Sequence, residues 1–284
     1  MNSSLSYNAM HVPSVEPKLL STGEERLRGP QPTPTVPVHV LAYYRRKDPG
    51  RQVSQLLKEL DMPLILLVGG ATGTGKSTVT SEVAYRLGIT RAMSTDTIRQ
   101  TMRELCSRKT MPSIYYSSFA TESAAAPSDG RPAEPNLVGF LDQARDVLIG
   151  VRAALLRALE EGYSTAFEGV HILPGSIPAS LHRRIVVQCL LTIRDEETHT
   201  SRFCTRGSSS CAVRPAQKYL RHLPGIRHIQ NYMVEQAKKA GVPVIENSHM
   251  EETVNAVLHL IMNKVEQARA RTTESDGICH FAAA

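Results

Sequence analysis

The segment PLILLVGGATGTGKSTVTSEVAYRL, residues 63–87, decides the fold of this chain. Its centre, GATGTGKS at residues 70–77, has the pattern Gly-x-x-x-x-Gly-Lys-Ser of a phosphate-binding loop, or P-loop. A strand-like apolar run precedes this loop and a helix-forming run follows it. Glycines let successive backbone N–H groups turn towards phosphate oxygens, and the helix directs the positive end of its dipole at them. The segment therefore predicts a nucleotide-binding site rather than a glycine turn that binds nothing.

Two residues of this loop carry specific chemistry. Lys76 is placed to reach the β and γ phosphates, and the Ser77 hydroxyl is the expected ligand of Mg²⁺. We therefore expect the cofactors to be ATP and Mg²⁺. The residues predicted to bind the nucleotide are Gly70, Ala71, Thr72, Gly73, Thr74, Gly75, Lys76, Ser77 and Thr78.

Composition limits the class of protein. The 284 residues include 41% hydrophobic and 21% charged residues and carry a net charge of +6. The five cysteines form no CxxC pair, so reduced thiols are expected rather than a zinc site or disulfides. No apolar run approaches the about 20 residues that a membrane helix needs, and a cytoplasmic protein is predicted. The basic and aromatic cluster YYRRK, residues 43–47, stands alone, so nucleic-acid binding is not expected.

The pattern of elements predicts an α/β fold, a P-loop kinase-like three-layer sandwich. Runs of strand character alternate with runs of helical character, and parallel strands need such helical crossovers. We expect a five-stranded parallel sheet with helices on both faces and a helical lid. The predicted strands are residues 63–69, 89–94, 164–168, 185–193 and 242–246, and the predicted helices are 53–60, 77–87, 97–106, 137–161, 195–206, 225–240 and 251–268.

The composition along the chain predicts its division into segments. Residues 1–37, rich in Pro and Ser, are expected to be a disordered leader, and residues 38–268 a P-loop kinase domain. Within that domain we predict an acceptor-side insertion at residues 107–135 and a lid at residues 195–214. Residues 269–284 are expected to form a flexible tail.

Two carboxylates follow predicted strands, at the sheet edge where ligands bind in such folds. Asp96 comes after the second strand and could orient or deprotonate an acceptor hydroxyl. It could equally cap a helix beginning at Thr97. Glu168 comes after the third strand and is predicted, with Ser77, to hold Mg²⁺. Which of Asp96 and Glu168 acts as the base is left open by the sequence.

Several basic residues are candidates for binding anions. Arg202 and Arg206 lie four residues apart on the predicted lid helix, where two guanidinium groups could stabilise the charge on a transferring phosphoryl group. A solvated surface pair is the alternative. Arg99 and Arg103 have the same spacing after Asp96 and could bind an anionic group of the acceptor. His171, in the EGVH stretch, is a second candidate contact to the acceptor, although a structural role is common for such a residue.

Motifs that would indicate other P-loop classes are absent. There is no guanine-specific Asn-Lys-x-Asp after a strand and no LSGGQ-like signature. A compact phosphotransferase, in which a lid closes over ATP and an acceptor, is therefore the favoured class. Lys76, Asp96, Glu168, Arg202 and Arg206 are its predicted catalytic residues.

Five ordered stretches resemble the 2-phosphoglycerate kinase family, which includes plant P-loop proteins associated with phytic acid levels. They are LILLVGGATGTGKST, SEVAYRLGITRAMSTDTIRQTMR, FEGVHILPG, DEETHTSRFCTR and KYLRHLPGIRHIQNYMVEQA. The resemblance implies phosphoryl transfer from ATP to 2-phosphoglycerate, giving ADP and 2,3-bisphosphoglycerate. It also implies that residues 70–78 hold ATP, that residues 94–96 and Arg99 face the acceptor, that Glu168 and His171 form a third-strand motif, and that His199, Arg202 and Arg206 belong to the lid.

Two other functions stay open on the sequence. One is a kinase of another phosphorylated polyol, such as an inositol phosphate, or of a nucleic-acid 5′ end. The other is a nucleotide-binding regulatory protein that transfers nothing, against which the acceptor-side carboxylate and the lid arginines argue. The expected partner is a small phosphorylated acceptor, with no membrane contact predicted and the oligomeric state undetermined.

Overall fold

Five strands form one parallel sheet in the computed structural model, which describes residues 49–119, 135–176, 181, 184–208 and 216–281. The strands are β1 (Leu64–Gly69), β2 (Ala92–Ser94), β3 (Thr165–Gly169), β4 (Ile185–Thr192) and β5 (Val244–Glu246). Their order across the sheet is β2-β3-β1-β4-β5, and every pairing is parallel. The predicted α/β fold class with a five-stranded parallel sheet is confirmed.

Helices connect these strands. In the described residues they are α1 (Pro49–Leu60), α2 (Lys76–Leu87), α3 (Thr95–Leu105), α4 (Pro135–Glu160), α5 (Glu196–Ser208), α6 (Ala216–Arg221), α7 (Leu223–Ala240) and α8 (Met250–Phe281). A short 3₁₀ helix, Pro112–Tyr115, lies between α3 and α4. The predicted leader and most of the predicted insertion, residues 120–134, lie outside the described residues, as do residues 209–214 of the predicted lid.

The central strand β1 sends alternate side chains to opposite faces of the sheet. Leu64, Leu66 and Val68 pack in a fully apolar cluster with α1, α2 and α8. Ile65 and Leu67 pack on the other face against α4. Because β1 is buried on both faces, it is apolar throughout instead of alternating with polar residues, as expected of a parallel strand between two helical layers.

The register of the strands gathers their carboxyl ends at one edge. Val68 of β1 is paired with Glu168 of β3, and Glu168 is paired in turn with Ser94 at the end of β2. The P-loop, which follows β1, therefore begins beside Glu168 and near the start of α3. This edge is where parallel α/β folds bind their ligands.

The second strand is shorter than predicted. Only Ala92–Ser94 pair with β3, whereas residues 89–94 were expected to form the strand. The cause lies in the end of α2, where Gly88 has a left-handed backbone (φ 69°) and Ile89 N–H donates to Ala84 O at 2.8 Å. This is a Schellman-type helix ending, in which Ile89 is buried. Ile89 was expected to belong to the strand, but in the structure it is part of the helix ending.

Several other elements differ from prediction in their bounds, among them α3, α6 and α8. Helix α3 begins at Thr95, two residues before the expected start, because Ser94 is its N-cap. Helix α6 lies between the predicted helices 195–206 and 225–240, where no helix was predicted, and α8 continues to Phe281, past its predicted end near residue 268. Helix α6 has only six residues, too few to show an apolar periodicity, which is why sequence patterns miss it.

Candidate active site

The P-loop wraps around the start of α2. Gly73 and Gly75 both have left-handed backbones, with φ values of 89° and 84°, which side-chain-bearing residues rarely adopt. A Cβ atom at Gly73 would lie 2.6 Å from the ring of Phe203. Lys76 is the first residue of α2, and its Nζ donates to Ala71 O at 2.7 Å across the loop. The Lys76 ammonium group therefore lies inside the loop, and its contact with the β and γ phosphates stays a prediction.

Helix α5, the predicted lid helix, packs directly on this loop. His199 Nε2 lies 2.8 Å from Thr72 O, and the ring of His199 stacks on Phe203 with centroids 5.2 Å apart. Arg202 contacts the next part of the loop, where it donates to Thr74 O at 3.5 Å and to Asn247 O. Three side chains of one helix thus hold the loop in place.

The protonation state of His199 follows from this contact. A carbonyl oxygen can only accept, so Nε2 carries the proton that is shared with Thr72 O. Burial lowers the pKa of His199, although the hydrogen bond to Thr72 O acts in the opposite direction. The imidazole is therefore neutral and serves as a hydrogen-bond donor to the P-loop. Only the family resemblance assigned His199 to the lid, and in the structure His199 contacts the P-loop at Thr72 O.

A cleft of about 1190 Å³ opens above the P-loop. It is larger than the roughly 300–1,000 Å³ typical of sites for one small ligand, so it has room for a nucleotide and a second substrate. Its lining joins the P-loop, the start of α3, the segment after the 3₁₀ helix, the end of β3, α5, α6 and the loop after β5. The charged residues in this lining are Lys76, Asp96, Arg99, Glu168, Arg202 and Lys218.

Both predicted carboxylates line the cleft. Asp96 is not the helix cap that the sequence allowed, because Ser94 Oγ accepts the Asp96 N–H at 3.2 Å and thereby caps α3. The Asp96 carboxylate, about half exposed, lies in the first turn of α3, 3.5 Å from an Arg99 nitrogen. Glu168 is half-buried near the end of β3. The structure therefore brings both carboxylates to the same opening as Lys76.

The two arginines of α3 lie in different surroundings. Arg99 lines the cleft and donates to Tyr116 O at 2.6 Å, which connects α3 to the segment after the 3₁₀ helix. Arg103 lies over the ring of Tyr115, 5.2 Å from its centroid, and donates to Gln100 Oε1 at 3.3 Å. A pair four residues apart shares a helix face, but here α3 turns its second arginine towards Tyr115. Arg103 is thus not placed to bind an acceptor as predicted.

His171 is fully buried, with both ring nitrogens hydrogen-bonded within the protein. Nδ1 lies 2.8 Å from Thr95 Oγ1, and Nε2 lies 3.0 Å from Gln143 Oε1 and 3.3 Å from Ser118 Oγ. Burial lowers the pKa of His171 from 6.5 to about 3. The sequence offered His171 as a candidate for direct contact with the acceptor. In the structure His171 is instead buried beneath the cleft and is not part of its lining.

Gln143, on α4, is the centre of this buried network and was missed by the sequence analysis. Its Nε2 donates to both Ser113 O and Tyr116 O at 2.8 Å, which uses both amide protons and fixes the orientation of the carboxamide. Its Oε1 must then accept, from Ser118 Oγ at 2.7 Å and from His171 Nε2. It follows that His171 is protonated on Nε2 and accepts the Thr95 hydroxyl proton on Nδ1.

This network has a mechanical consequence. Gln143 holds the backbone of the segment after the 3₁₀ helix, whose Ser117, Ser118 and Phe119 line the cleft. No sequence signal identifies Gln143, since a glutamine within a long helix is normally a surface residue. Only its complete burial in the folded chain reveals the role.

Two further residues of the cleft escaped prediction. Asn247, after β5, is buried and donates to Thr74 O at 2.8 Å, while Thr253 Oγ1 donates to Asn247 Oδ1 at 3.0 Å. A polar residue directly after the last strand was a signal that could have found it. Lys218, on α6, also lines the cleft.

One predicted catalytic residue cannot be placed. The backbone of Arg206 belongs to α5, but its side chain lies outside the described residues. Its role stays a prediction. Within the described part of the chain, no helix is both long and apolar enough to cross a bilayer.

A P-loop after the first strand of a parallel five-stranded sheet, with a helix docked over it, defines a protein of the P-loop kinase class. No protein-family model matches the chain. It is 40% identical over 224 residues to the 2-phosphoglycerate kinase of Methanothermobacter thermautotrophicus, an alignment that covers 77% of this chain and 73% of that protein. The chain belongs to the 2-phosphoglycerate kinase family.

Further relatives agree. The 2-phosphoglycerate kinase of Methanopyrus kandleri is 37% identical over 221 residues, covering 77% of this chain and 67% of that protein. That of Methanocaldococcus jannaschii is 40% identical over 205 residues, covering 72% and 65%. The resemblance on which the sequence analysis relied is confirmed, and the chain is a phosphotransferase of this family.

Proposed function

We propose that this protein transfers the γ-phosphoryl group of ATP to the free hydroxyl of 2-phosphoglycerate, giving ADP and 2,3-bisphosphoglycerate. The observation that carries the proposal is the composition of one cleft, in which the P-loop Lys76 shares an opening with Asp96 and Arg99. Lys76 would bind the phosphates of the donor, ATP. Asp96 and Arg99 suit an acceptor that has a hydroxyl group and is itself anionic. The names of the relatives support the same acceptor.

The reaction is an in-line displacement at phosphorus. The acceptor hydroxyl oxygen attacks the γ-phosphorus while the bond to the oxygen that bridges the β and γ phosphates breaks, and ADP leaves. The hydroxyl proton passes to the carboxylate of Asp96, which lines the cleft from the first turn of α3. Lys76 balances the negative charge on the transferred group.

Mg²⁺ fits the residues present. This ion commonly takes only one or two protein oxygen ligands, with water and substrate phosphates completing its octahedron. The Ser77 hydroxyl, in the first turn of α2, and the Glu168 carboxylate both line the cleft and would hold it. Bound there, the ion would neutralise phosphate charge and orient ATP.

Arg202 and the remainder of α5 would act as the lid. The guanidinium group of Arg202 is held against the P-loop by Thr74 O and Asn247 O, close to where the phosphates of ATP would lie. Arginine in such a place stabilises the charge that develops on the transferring group. A regulatory protein that transfers nothing would not need an acceptor wall of carboxylate and arginine opposite this lid, which favours the enzyme.

The direct test is chemical. Purified protein is incubated with Mg·ATP and 2-phosphoglycerate, and the products are identified by mass spectrometry and ³¹P NMR. We expect equal amounts of ADP and 2,3-bisphosphoglycerate. ADP formation without a bisphosphorylated product, or transfer to inositol phosphates only, would refute this acceptor.

A further inference from the structure

The cleft contains a basic residue for which neither the sequence nor the proposed reaction has yet supplied a role. Its described lining holds four cationic side chains against two carboxylates. Lys76 and Arg202 contact the P-loop and belong to the nucleotide. Arg99 lies beside Asp96 on the acceptor side. Lys218 is the fourth.

The position of Lys218 is set by its neighbour. Tyr219 is buried and stacks on Phe203 of α5 with centroids 5.1 Å apart and nearly parallel rings. It also packs on Phe119, 5.3 Å away between centroids. Helix α6 is therefore anchored by an aromatic contact on each side, and the exposed Lys218 is directed along the cleft wall.

The Lys218 ammonium group lies over the ring of Phe119, with 6.0 Å between Nζ and the centroid. Phe119 ends the segment whose backbone Arg99 holds at Tyr116 O. Arg99 and Lys218 thus approach the same stretch of the acceptor wall, one from α3 and the other from α6. Within the described residues, Lys218 forms no ion pair with a carboxylate, and its side chain is part of the lining of the cleft.

We propose that Lys218 is a substrate-binding residue, which together with Arg99 recognises the two anionic groups of the acceptor. This inference rests on the proposed function, because 2-phosphoglycerate carries a phosphate and a carboxylate on one carbon atom. One cation suits each group. The sequence predicted that Arg103 would be the second cation that binds the acceptor, but Arg103 lies over Tyr115. Lys218 lines the cleft and would bind the second anionic group in its stead.

The pairing would also make the protein select among phosphorylated acceptors. An acceptor with a single anionic group would engage only one of the two cations and lose a charge-assisted hydrogen bond. Such a bond is worth roughly ten- to hundredfold in affinity. Arg99 and Lys218 would therefore favour small acids that carry both groups over simple phosphorylated alcohols.

The test measures acceptor KM, ATP KM and kcat for Lys218→Met. Methionine keeps an unbranched apolar stem and removes only the charge. Arg221→Met is the matched control, since Arg221 is a basic residue of the same helix that does not line the cleft. We expect Lys218→Met to raise the acceptor KM roughly ten- to hundredfold with the ATP KM unchanged, and Arg221→Met to behave as wild type.

Two truncated acceptors give the decisive comparison. Glycerol 2-phosphate lacks the carboxylate, and D-glycerate lacks the phosphate. If Lys218 binds one of these groups, kcat/KM for the acceptor that lacks that group will be the same in Lys218→Met and wild type. Equal losses on all three acceptors, or no loss on any, would overturn the assignment.

The outcomes separate the two proposals. Wild-type protein that transfers nothing to 2-phosphoglycerate refutes the proposed function, and with it the acceptor assigned to Lys218. Wild-type protein that is active, alongside an unaffected Lys218→Met variant, refutes the role of Lys218 alone.

Discussion

The nucleotide side and the acceptor side of the cleft are built in different ways. The nucleotide side depends on eight consecutive residues, 70–77, which follow one strand and start one helix. The acceptor side is assembled from α3, the segment after the 3₁₀ helix, α4, the turn after β3, and α6. A contiguous loop leaves one complete signature in the sequence, whereas a wall assembled from five separate parts leaves only isolated signals, such as Asp96 after the second strand.

The two sides also differ in how they are held. The P-loop is fixed by polar contacts from α5 and from Asn247 that end on its backbone carbonyls. The acceptor wall is fixed from below by the buried Gln143 and His171. In both cases side chains from other elements hold the backbone that lines the cleft. We therefore expect mutations on each side to have separable kinetic effects.

The largest expected effect comes from Lys76→Ala on the nucleotide side. Removing the ammonium group takes away charge stabilisation at the transferred phosphoryl, so kcat should fall roughly 10³-fold. Steady-state kinetics measures this loss, and circular dichroism checks that the fold is intact. A variant that keeps near-normal turnover would contradict the assigned role of the loop.

Asp96→Asn tests the chemistry of the acceptor side. Without a carboxylate to accept the hydroxyl proton, kcat should fall roughly 10²-fold while both KM values change little. Arg99→Ala should show the opposite pattern, a raised acceptor KM with the ATP KM near wild type. Should Asp96→Asn instead alter only the ATP KM, Asp96 would belong to the nucleotide side and the division proposed here would fail.

Gln143→Met tests whether the acceptor wall is held from below. Methionine has a similar size but cannot donate to Ser113 O and Tyr116 O, so the segment should shift and the acceptor KM should rise about tenfold. Loss of buried hydrogen bonds should also cost about 1–3 kcal/mol in the free energy of unfolding.

Gln188→Met is the control for Gln143→Met. Its Nε2 also donates to a backbone carbonyl, Leu173 O at 2.9 Å, but it does not line the cleft. It should lose stability without a change in acceptor KM. A purely structural role for Gln143 would make the kinetics of the two variants alike.

The last prediction concerns the contribution of His171 to the pH dependence of stability. Its pKa is about 3 in the folded protein and 6.5 ordinarily, because burial opposes the charged form. Between these values the unfolded chain binds a proton that the folded chain does not, so stability falls as the pH is lowered through this window. The slope is at most about 1.4 kcal/mol per pH unit.

Denaturant titrations of wild type and His171→Gln from pH 7 to pH 4 measure this slope. The variant should show a shallower loss of stability at low pH, even if its stability at pH 7 is reduced. Parallel curves would show that folding does not lower the pKa of His171. The buried network would then need a different arrangement of protons.

Local sequence patterns were sufficient for the P-loop, for the existence of all five strands and for the placing of Asp96 and Glu168 at strand ends. Each depends on signals within a few residues, such as glycine spacing, apolar runs and the polar residue after a strand. Where two local signals competed, as at Ile89, the helix ending prevailed and the strand became shorter.

The sequence by itself determined that the chain binds a nucleotide in an α/β kinase fold, because the motif that does so is contiguous. Tertiary structure decided which of the remaining basic residues line the cleft. It turned Arg103 onto Tyr115, brought Lys218 to the cleft and buried His171 beside Gln143. Helix spacing describes which residues share a face, but the orientation of that face depends on packing against parts of the chain far away in sequence.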